Sequence, residues 1–335
     1  MAIPVRVSGE VAWFLHGAQE SNLPSRRHTQ NLEAYESYLA GLYLWNQRND
    51  GDLNRSILHF REAIRRDPDY ALAHVGLAAA YSMGEGGDSE AAARAALELD
   101  PTLGEAHATI GFRKMFVGFN LAEARKDFER AIVLSPNYAS AHQWSALLLA
   151  AQGRFDDAVS RMHRALEIDP HSLIINADLG QIYYFAKDYD RAIEQCRKVL
   201  AIEPNFRIAR TYLHLAYTEK GMHREALDEY IYDQRQLGLI APATLDELVK
   251  AYETDGIRGF WRAQSRRPEN GWYTLAGYHA YLGENDKALY WMQKAAQSNN
   301  DGFWFVYVKV DPAFDALHTD SRFQELVRRF FPQDI

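Results

Sequence analysis

Three histidines recur at near-regular intervals: His74, His107 and His142, separated by 33 and 35 residues. Imidazoles at a repeated position could form a metal centre or a proton-sensitive stack. A metal centre needs two or more nitrogens within about 2.1 Å of one ion. Side chains one helical repeat apart lie roughly 10 Å from each other, the spacing of packed helices, so the three cannot share an ion. They read as packing residues between helices, with a pH-sensitive stack as the lesser alternative. Cys196 is the single cysteine, which excludes an intramolecular disulfide. It stands where neighbouring units carry Met162 and Tyr230, so it reads as a small buried hydrophobe rather than a reactive thiol.

Other chemical signals are weaker. Gly84, Gly86 and Gly87 follow no strand and lack the spacing of a phosphate cradle. Asn49-Asp50-Gly51-Asp52 does not match a calcium loop, and both glycine-bearing stretches read as turns. Asn54-Arg55-Ser56 is formally a glycosylation sequon, but no secretion signal accompanies it. No nucleophile elbow, paired-carboxylate motif or metal signature stands out. The expectation is a non-catalytic protein with no cofactor and no metal.

The elements that place these residues come from a motif written five times. It reads Ala63-Ile64-Arg65-Arg66-Asp67-Pro68, Ala96-Leu97-Glu98-Leu99-Asp100-Pro101, Ala131-Ile132-Val133-Leu134-Ser135-Pro136, Ala165-Leu166-Glu167-Ile168-Asp169-Pro170 and Val199-Leu200-Ala201-Ile202-Glu203-Pro204. The prolines are spaced by 33, 35, 34 and 34 residues. A fixed period in this range marks a stacked helical array in which each unit covers its neighbour's apolar face. Within a unit, the first helix carries a small residue and an aromatic three positions later, as at Ala40/Tyr43, Ala78/Tyr81 and Gly180/Tyr183. The second helix carries Ala, a larger residue four on, and a small residue three beyond, as at Ala124/Phe128/Ala131 and Ala158/Met162/Ala165. Small residues let antiparallel helices approach, and larger ones fill the seam. The proline ends each hairpin because it cannot extend a helix and pushes its predecessor toward extended backbone.

This plan resembles the tetratricopeptide repeat over residues 31 to 237 and again 271 to 298: Gly180, Tyr183, Ala192 and Pro204 match that family's small, aromatic, Ala and Pro positions, as do Ala146, Ala158, Ala165 and Pro170. The family's early Trp survives only at Trp272, while His74, His107, His142 and Asn176 replace it elsewhere. The resemblance implies an all-α, right-handed superhelical solenoid of about eight antiparallel helical hairpins. The expected organisation is a tail or linker at 1–30, a regular array at 31–237, a degenerate helical hairpin at 238–270, and a last hairpin with a capping helix at 271–335. The degenerate stretch keeps an amphipathic helix (Leu245, Leu248, Val249, Tyr252) but loses the motif.

The resemblance also implies a concave groove lined by first-helix side chains. Here these are Val75 and Ala79, then Phe112, Met115, Gln143, Trp144, Leu147, Gln181, Tyr184, Thr211 and Tyr212. The Lys and Asn with which some family members clamp a peptide's carboxylate are missing from this face. An aromatic, amide-rich groove instead suits an extended or helical peptide anchored by apolar side chains. The competing expectation is that several of these residues are covered by the next repeat. The implied function is a protein-interaction scaffold that binds a partner peptide or domain.

A narrower resemblance involves the two ends of the array. Asn31 to Gly41 and Val308-Lys309-Val310-Asp311-Pro312-Ala313-Phe314-Asp315 look like the ends of a bacterial repeat module found beside winged-helix, cyclase or Ser/Thr kinase domains. It implies a regulatory or sensory signalling module as the alternative function, with its effector missing, separately encoded or never present. The terminal helix, around Ser321 to Phe331, is apolar at Phe323, Leu326, Val327, Phe330 and Phe331, and suits a cap with a polar outer face. A third class, an all-α enzyme or small-ligand binder using the aromatic groove, would need paired acid and base residues that the pattern lacks.

Composition narrows the partner. The chain has 335 residues, 47% of them hydrophobic, and a net charge of -8. That charge argues against nucleic acid, whose phosphates demand clustered Lys and Arg. No apolar run approaches the ~20 residues of a membrane span. The lone cysteine fits a reducing compartment, so the expected location is cytoplasmic. The pattern does not fix oligomeric state, and a homo-oligomer is compatible with it.

Overall fold

A computed structural model of the chain describes residues 29–47, 51–83, 87–238, 240–297 and 302–332. Most of the expected N-terminal tail, and the turn residues Asn49, Asp50, Gly84 and Gly86, lie outside the described residues. Among those described there are helices and turns but no strand. The architecture is the all-α hairpin solenoid that the repeats require, and it divides into two compact units.

The first unit comprises residues up to Ile110 together with Val133–Pro136. Its hairpins are α1 (Leu32–Gln47) with α2 (Asp52–Arg66), and α3 (Ala71–Met83) with α4 (Ser89–Leu99). Phe60 of α2 is fully buried between the two first helices. A Cβ added at Gly41 or Gly76 would stand 2.7 or 2.4 Å from its ring, which is why the facing residues have no side chain. Ala34, Ala63, Tyr70, Ala96 and Ala106 continue this core.

The second unit comprises Gly111–Ile132 and Asn137 onward. Following α5 (Gly104–Phe116) and α6 (Leu121–Leu134), its hairpins pair α7 (Ala139–Ala151) with α8 (Phe155–Ile168), α9 (Leu173–Phe185) with α10 (Tyr189–Ile202), and α11 (Arg207–Glu219) with α12 (His223–Leu237). The first helices also touch one another, α7 with α9 and α9 with α11, so they form one continuous row. The second-helix seams hold as the spacing predicts: Ala124, Phe128 and Ala131, and Ala158, Met162 and Ala165, are completely buried. Burying side chains of Phe or Met size contributes about 1.5–3 kcal/mol each. Asp169 (φ -133, ψ 82) and Glu203 (φ -126, ψ 95), each preceding a proline, have left the helical region as proline's ring demands.

The motif-poor stretch forms α13 (Pro242–Gln264), which is broken at Asp255 (φ -139, ψ 28) and Gly256 (φ 57, ψ -152). The Gly256 backbone lies in a region open essentially to glycine alone. Its two arms fold close together: a Cβ on Gly259 would stand 2.1 Å from the Ala251 carbonyl oxygen. After α14 (Trp272–Leu282) and α15 (Asn285–Ala296) come a single turn, α16 (Gly302–Phe305), a 3-10 helix (Pro312–Leu317) and α17 (Ser321–Phe330).

Candidate functional site

The first-helix row of the second unit carries the residues that the repeat register assigns to a groove. Met115 is fully buried, Tyr184 and Tyr212 are 1% exposed, and Phe112, Trp144, Gln143, Gln181 and Leu147 are at most 5% exposed. Thr211 is half-buried, with its hydroxyl donating to the Arg207 carbonyl at 3.1 Å. Val75 and Ala79 are buried in the first unit. The row in the second unit is therefore a buried face: neighbouring first helices close part of it, as at Gln143–Asp178 and Phe112–Trp144, and the chain's own segment 303–314 packs on Phe112, Tyr184 and Tyr212.

Aromatic contacts run along the whole length of this cover. Phe303 stacks on Phe116 with ring centroids 4.2 Å apart and planes 10° from parallel, and approaches Phe112 at 6.1 Å. Tyr307 stacks on Phe185 at 4.6 Å and 24°. Trp304 meets Tyr212 edge-on at 6.2 Å while staying partly exposed. Beneath them Phe112 packs on Trp144 at 4.8 Å. Offset and tilted pairs of this kind are each worth about 0.5–1.5 kcal/mol beyond the area they bury.

A buried carboxylate fixes the far end of the segment. Asp311, 7% exposed, accepts hydrogen bonds from the Tyr184 hydroxyl at 3.0 Å and the Tyr273 hydroxyl at 2.8 Å. Its Oδ1 also accepts the Ala313 N–H at 3.1 Å, capping the 3-10 helix that Pro312 begins. Burial pushes its carboxyl above the usual aspartate range, while the two tyrosines and the amide pull it back. Nearby, burial likewise raises Glu219, which accepts the Tyr281 hydroxyl. Burial also lifts the phenols of Tyr184, Tyr212, Tyr273, Tyr281 and Tyr307, and of these Tyr184, Tyr273 and Tyr281 donate to the buried carboxylates. At the solvent edge Lys187 pairs with Asp315 at 2.5 Å.

The amides of the row are also engaged: Gln143 Nε2 donates to Asp178 Oδ2 at 2.7 Å. Phe116, Phe185, Tyr273 and Asp311 complete the site, and none of them belongs to the groove positions of the repeat register. One signal pointed toward them. The run Phe303-Trp304-Phe305-Val306-Tyr307-Val308 is apolar without a helical or alternating period, so it must bury itself against something.

One of the three repeated histidines, and two later residues at its position, share a structural role. His74 Nε2 lies 2.9 Å from the Pro68 carbonyl oxygen, and Asn176 Nδ2 donates to the Pro170 carbonyl at 3.2 Å. Arg210 makes the same contact with Pro204. At these three positions the polar residue ties the helix back to the proline turn six residues earlier. No group of three His, Cys, Asp or Glu able to hold a metal occurs among the described residues. Cys196 is fully buried, and desolvation pushes its thiol up to about 12. Among the described residues no helix is long and apolar enough to cross a membrane.

Two surface clefts accompany the second unit. One, of about 470 Å3, lies between Val117–Leu121 and Arg329–Pro332, and its lining holds no Asp, Glu, His or Cys. The other flanks the break in α13, where Arg262 pairs with Asp255 at 2.8 Å.

Two family models described as tetratricopeptide repeat match residues 120–172 and 149–213. Residues 120–213 are thus similar to tetratricopeptide repeats. Human tetratricopeptide repeat protein 13 is 26% identical over 104 residues, and superkiller protein 3 of Schizosaccharomyces pombe is 24% identical over 199 residues. The matches cover 31% and 59% of this chain but only 12% of each relative. The fold resembles that of Cut9–Hcn1, an APC/C hetero-tetramer (TM-score 0.56, 15% identity, 90% of this chain and 57% of that one). It also resembles human IFIT1 solved as a dimer with m7Gppp-AAAA (TM-score 0.51, 16% identity, 86% of this chain and 76% of that one). At these identities the likeness concerns the fold alone.

Proposed function

We propose that the protein is a non-catalytic interaction scaffold whose tetratricopeptide repeats hold a partner segment on the first-helix row of the second unit. The observation that carries this reading is the seating of residues 303–314 on that row. A polypeptide segment already lies there, with rings stacked on Phe116 and Phe185 and a carboxylate received by Tyr184 and Tyr273. Rigid packed helices hold these receptors in place, which lowers the entropic cost of ordering a bound segment.

The test is quantitative partner capture with three forms of the full chain. Tyr307→Ala loosens the covering segment and should increase retention of a specific protein. Adding Trp144→Ala to it alters the floor and should abolish that gain. Identical retention by wild type, single and double variants would place partner binding elsewhere.

The regulatory-module reading has one observation in its favour. The closing motif from Val308 to Asp315 is the stretch that delivers Asp311 onto the row, so it is placed to report whether the row is occupied. Exposure of that motif on partner binding, read by proteolysis at Lys309, would support it; unchanged cleavage would end it.

A further inference from the structure

Residues 303–311 present three anchors at four-residue intervals, received by α5, α9 and α14. Phe303 lies on Phe116 of α5, and Tyr307 on Phe185 of α9. Asp311 lies between Tyr184 of α9 and Tyr273 of α14. The receptors come from three helices while the anchors come from one continuous stretch, an arrangement like that of a peptide held in a helical groove.

The third position is chemically selective. Two neutral phenols, at 3.0 and 2.8 Å, point their hydroxyl hydrogens at the two oxygens of one side chain. A carboxylate accepts both. An amide would set its NH2 against one hydroxyl and force that phenol to turn, in surroundings where an unmatched buried polar group costs about 1–3 kcal/mol. The first two positions are flat aromatic slots that reward ring stacking.

We propose that this face recognises partner segments of the form aromatic-x3-aromatic-x3-Asp-Pro, and that residues 303–312 are an in-cis copy of that ligand which a partner must displace. The proposal rests on the scaffold reading and adds the partner's chemistry to it. An attached copy acts at an effective concentration in the millimolar range. A free segment at micromolar concentration therefore gains the face only when the in-cis copy is weakened, or when the partner brings additional contacts.

The experiment uses the full chain and two labelled peptides, one with the sequence of residues 302–317 and one with alanine at the positions of Phe303, Tyr307 and Asp311. Fluorescence anisotropy is read against wild type and against Tyr307→Ala/Asp311→Ala. The loosened chain should bind the native-sequence peptide about tenfold or more tighter than wild type does, and by a similar factor tighter than it binds the alanine peptide. Equal binding of the two peptides, or no gain on loosening in a chain of unchanged helicity, overturns the proposal.

Should the double variant unfold, hydrogen exchange on wild type decides. A large excess of native-sequence peptide should accelerate exchange across residues 302–317, and unchanged exchange overturns the proposal. Peptide binding without any strap-dependent partner capture would sink the scaffold reading alone. Strap-dependent capture without peptide selectivity would sink only the anchor chemistry.

Discussion

The Tyr184 hydroxyl donates to Asp311 Oδ1 at 3.0 Å across 127 residues of sequence. This bond joins the middle of the repeat array to the segment that covers it. Tyr273 completes the clamp from the other side at 2.8 Å. Replacing Tyr184 or Tyr273 by Phe removes one donor to a buried carboxylate and should cost about 1.5–3 kcal/mol in chemical denaturation, the range for hydrogen bonds to charged groups. Because both serve the same carboxylate, the double variant should depart from additivity. A strictly additive double-mutant cycle would show that they do not act on one group.

The same carboxylate should make the covering segment sensitive to pH. Burial raises the Asp311 pKa above its unfolded value of about 3.9, so the docked form takes up its proton first as pH falls. The stabilising contribution is complete below the unfolded pKa and is lost as pH rises through the raised one. Glu219, raised by burial, shifts in the same direction, while Asp315 and Lys187 face the solvent edge. Subtracting the Asp311→Asn profile removes contributions common to both proteins. That difference should show the wild-type segment gaining exchange protection on acidification from neutral pH; a flat difference would refute the linkage.

Gly180 marks a close seam on the row. A Cβ there would lie 2.7 Å from Cys196 Sγ. Gly180→Ala should cost about 1–3 kcal/mol by overpacking, and Cys196→Ala in the same chain should recover much of it. The same burial predicts an inert thiol, since desolvation holds Cys196 at about 12. A thiol reagent should label the native chain only at the rate of opening, and rapid labelling of the folded protein would contradict the assigned packing.

Lys187 occupies a left-handed turn position (φ 60) where three other hairpins have Gly153, Gly221 and Gly283 and the α5–α6 hairpin has Phe119. For a residue with a Cβ this conformation costs about 1–2 kcal/mol. Its ammonium reaches Asp315 on the covering segment, an exposed pair worth roughly 0–1 kcal/mol. Lys187→Gly should therefore leave the midpoint of thermal unfolding unchanged or slightly higher, yet loosen residues 313–317 in hydrogen exchange. Unaltered exchange there would mean that the ion pair holds nothing in place.

Much of the architecture was legible because its causes are local. Ala158, Met162 and Ala165 are buried because residues four and three apart share one helix face, and Asp169 leaves the helix because Pro170 follows it. The bonds of His74, Asn176 and Arg210 to the proline carbonyl six residues earlier left no mark in the sequence, because they depend on how the turn folds back. The break at Gly256 was less visible, since one glycine in an amphipathic stretch is compatible with either a continuous helix or a turn.

By itself the sequence determined the hairpins, their seams and the row of first-helix positions from Phe112 to Tyr212, because helical period and proline stops act within about one turn of the chain. Only the tertiary structure decided that this row is covered, and by what. Phe303, Tyr307 and Asp311 find Phe116, Phe185, Tyr184 and Tyr273 through stacking and hydrogen bonding between residues brought together by the stacking of whole repeats. Contacts of that kind leave no period in the sequence, since nothing in the spacing of an aromatic run states which distant surface will receive it.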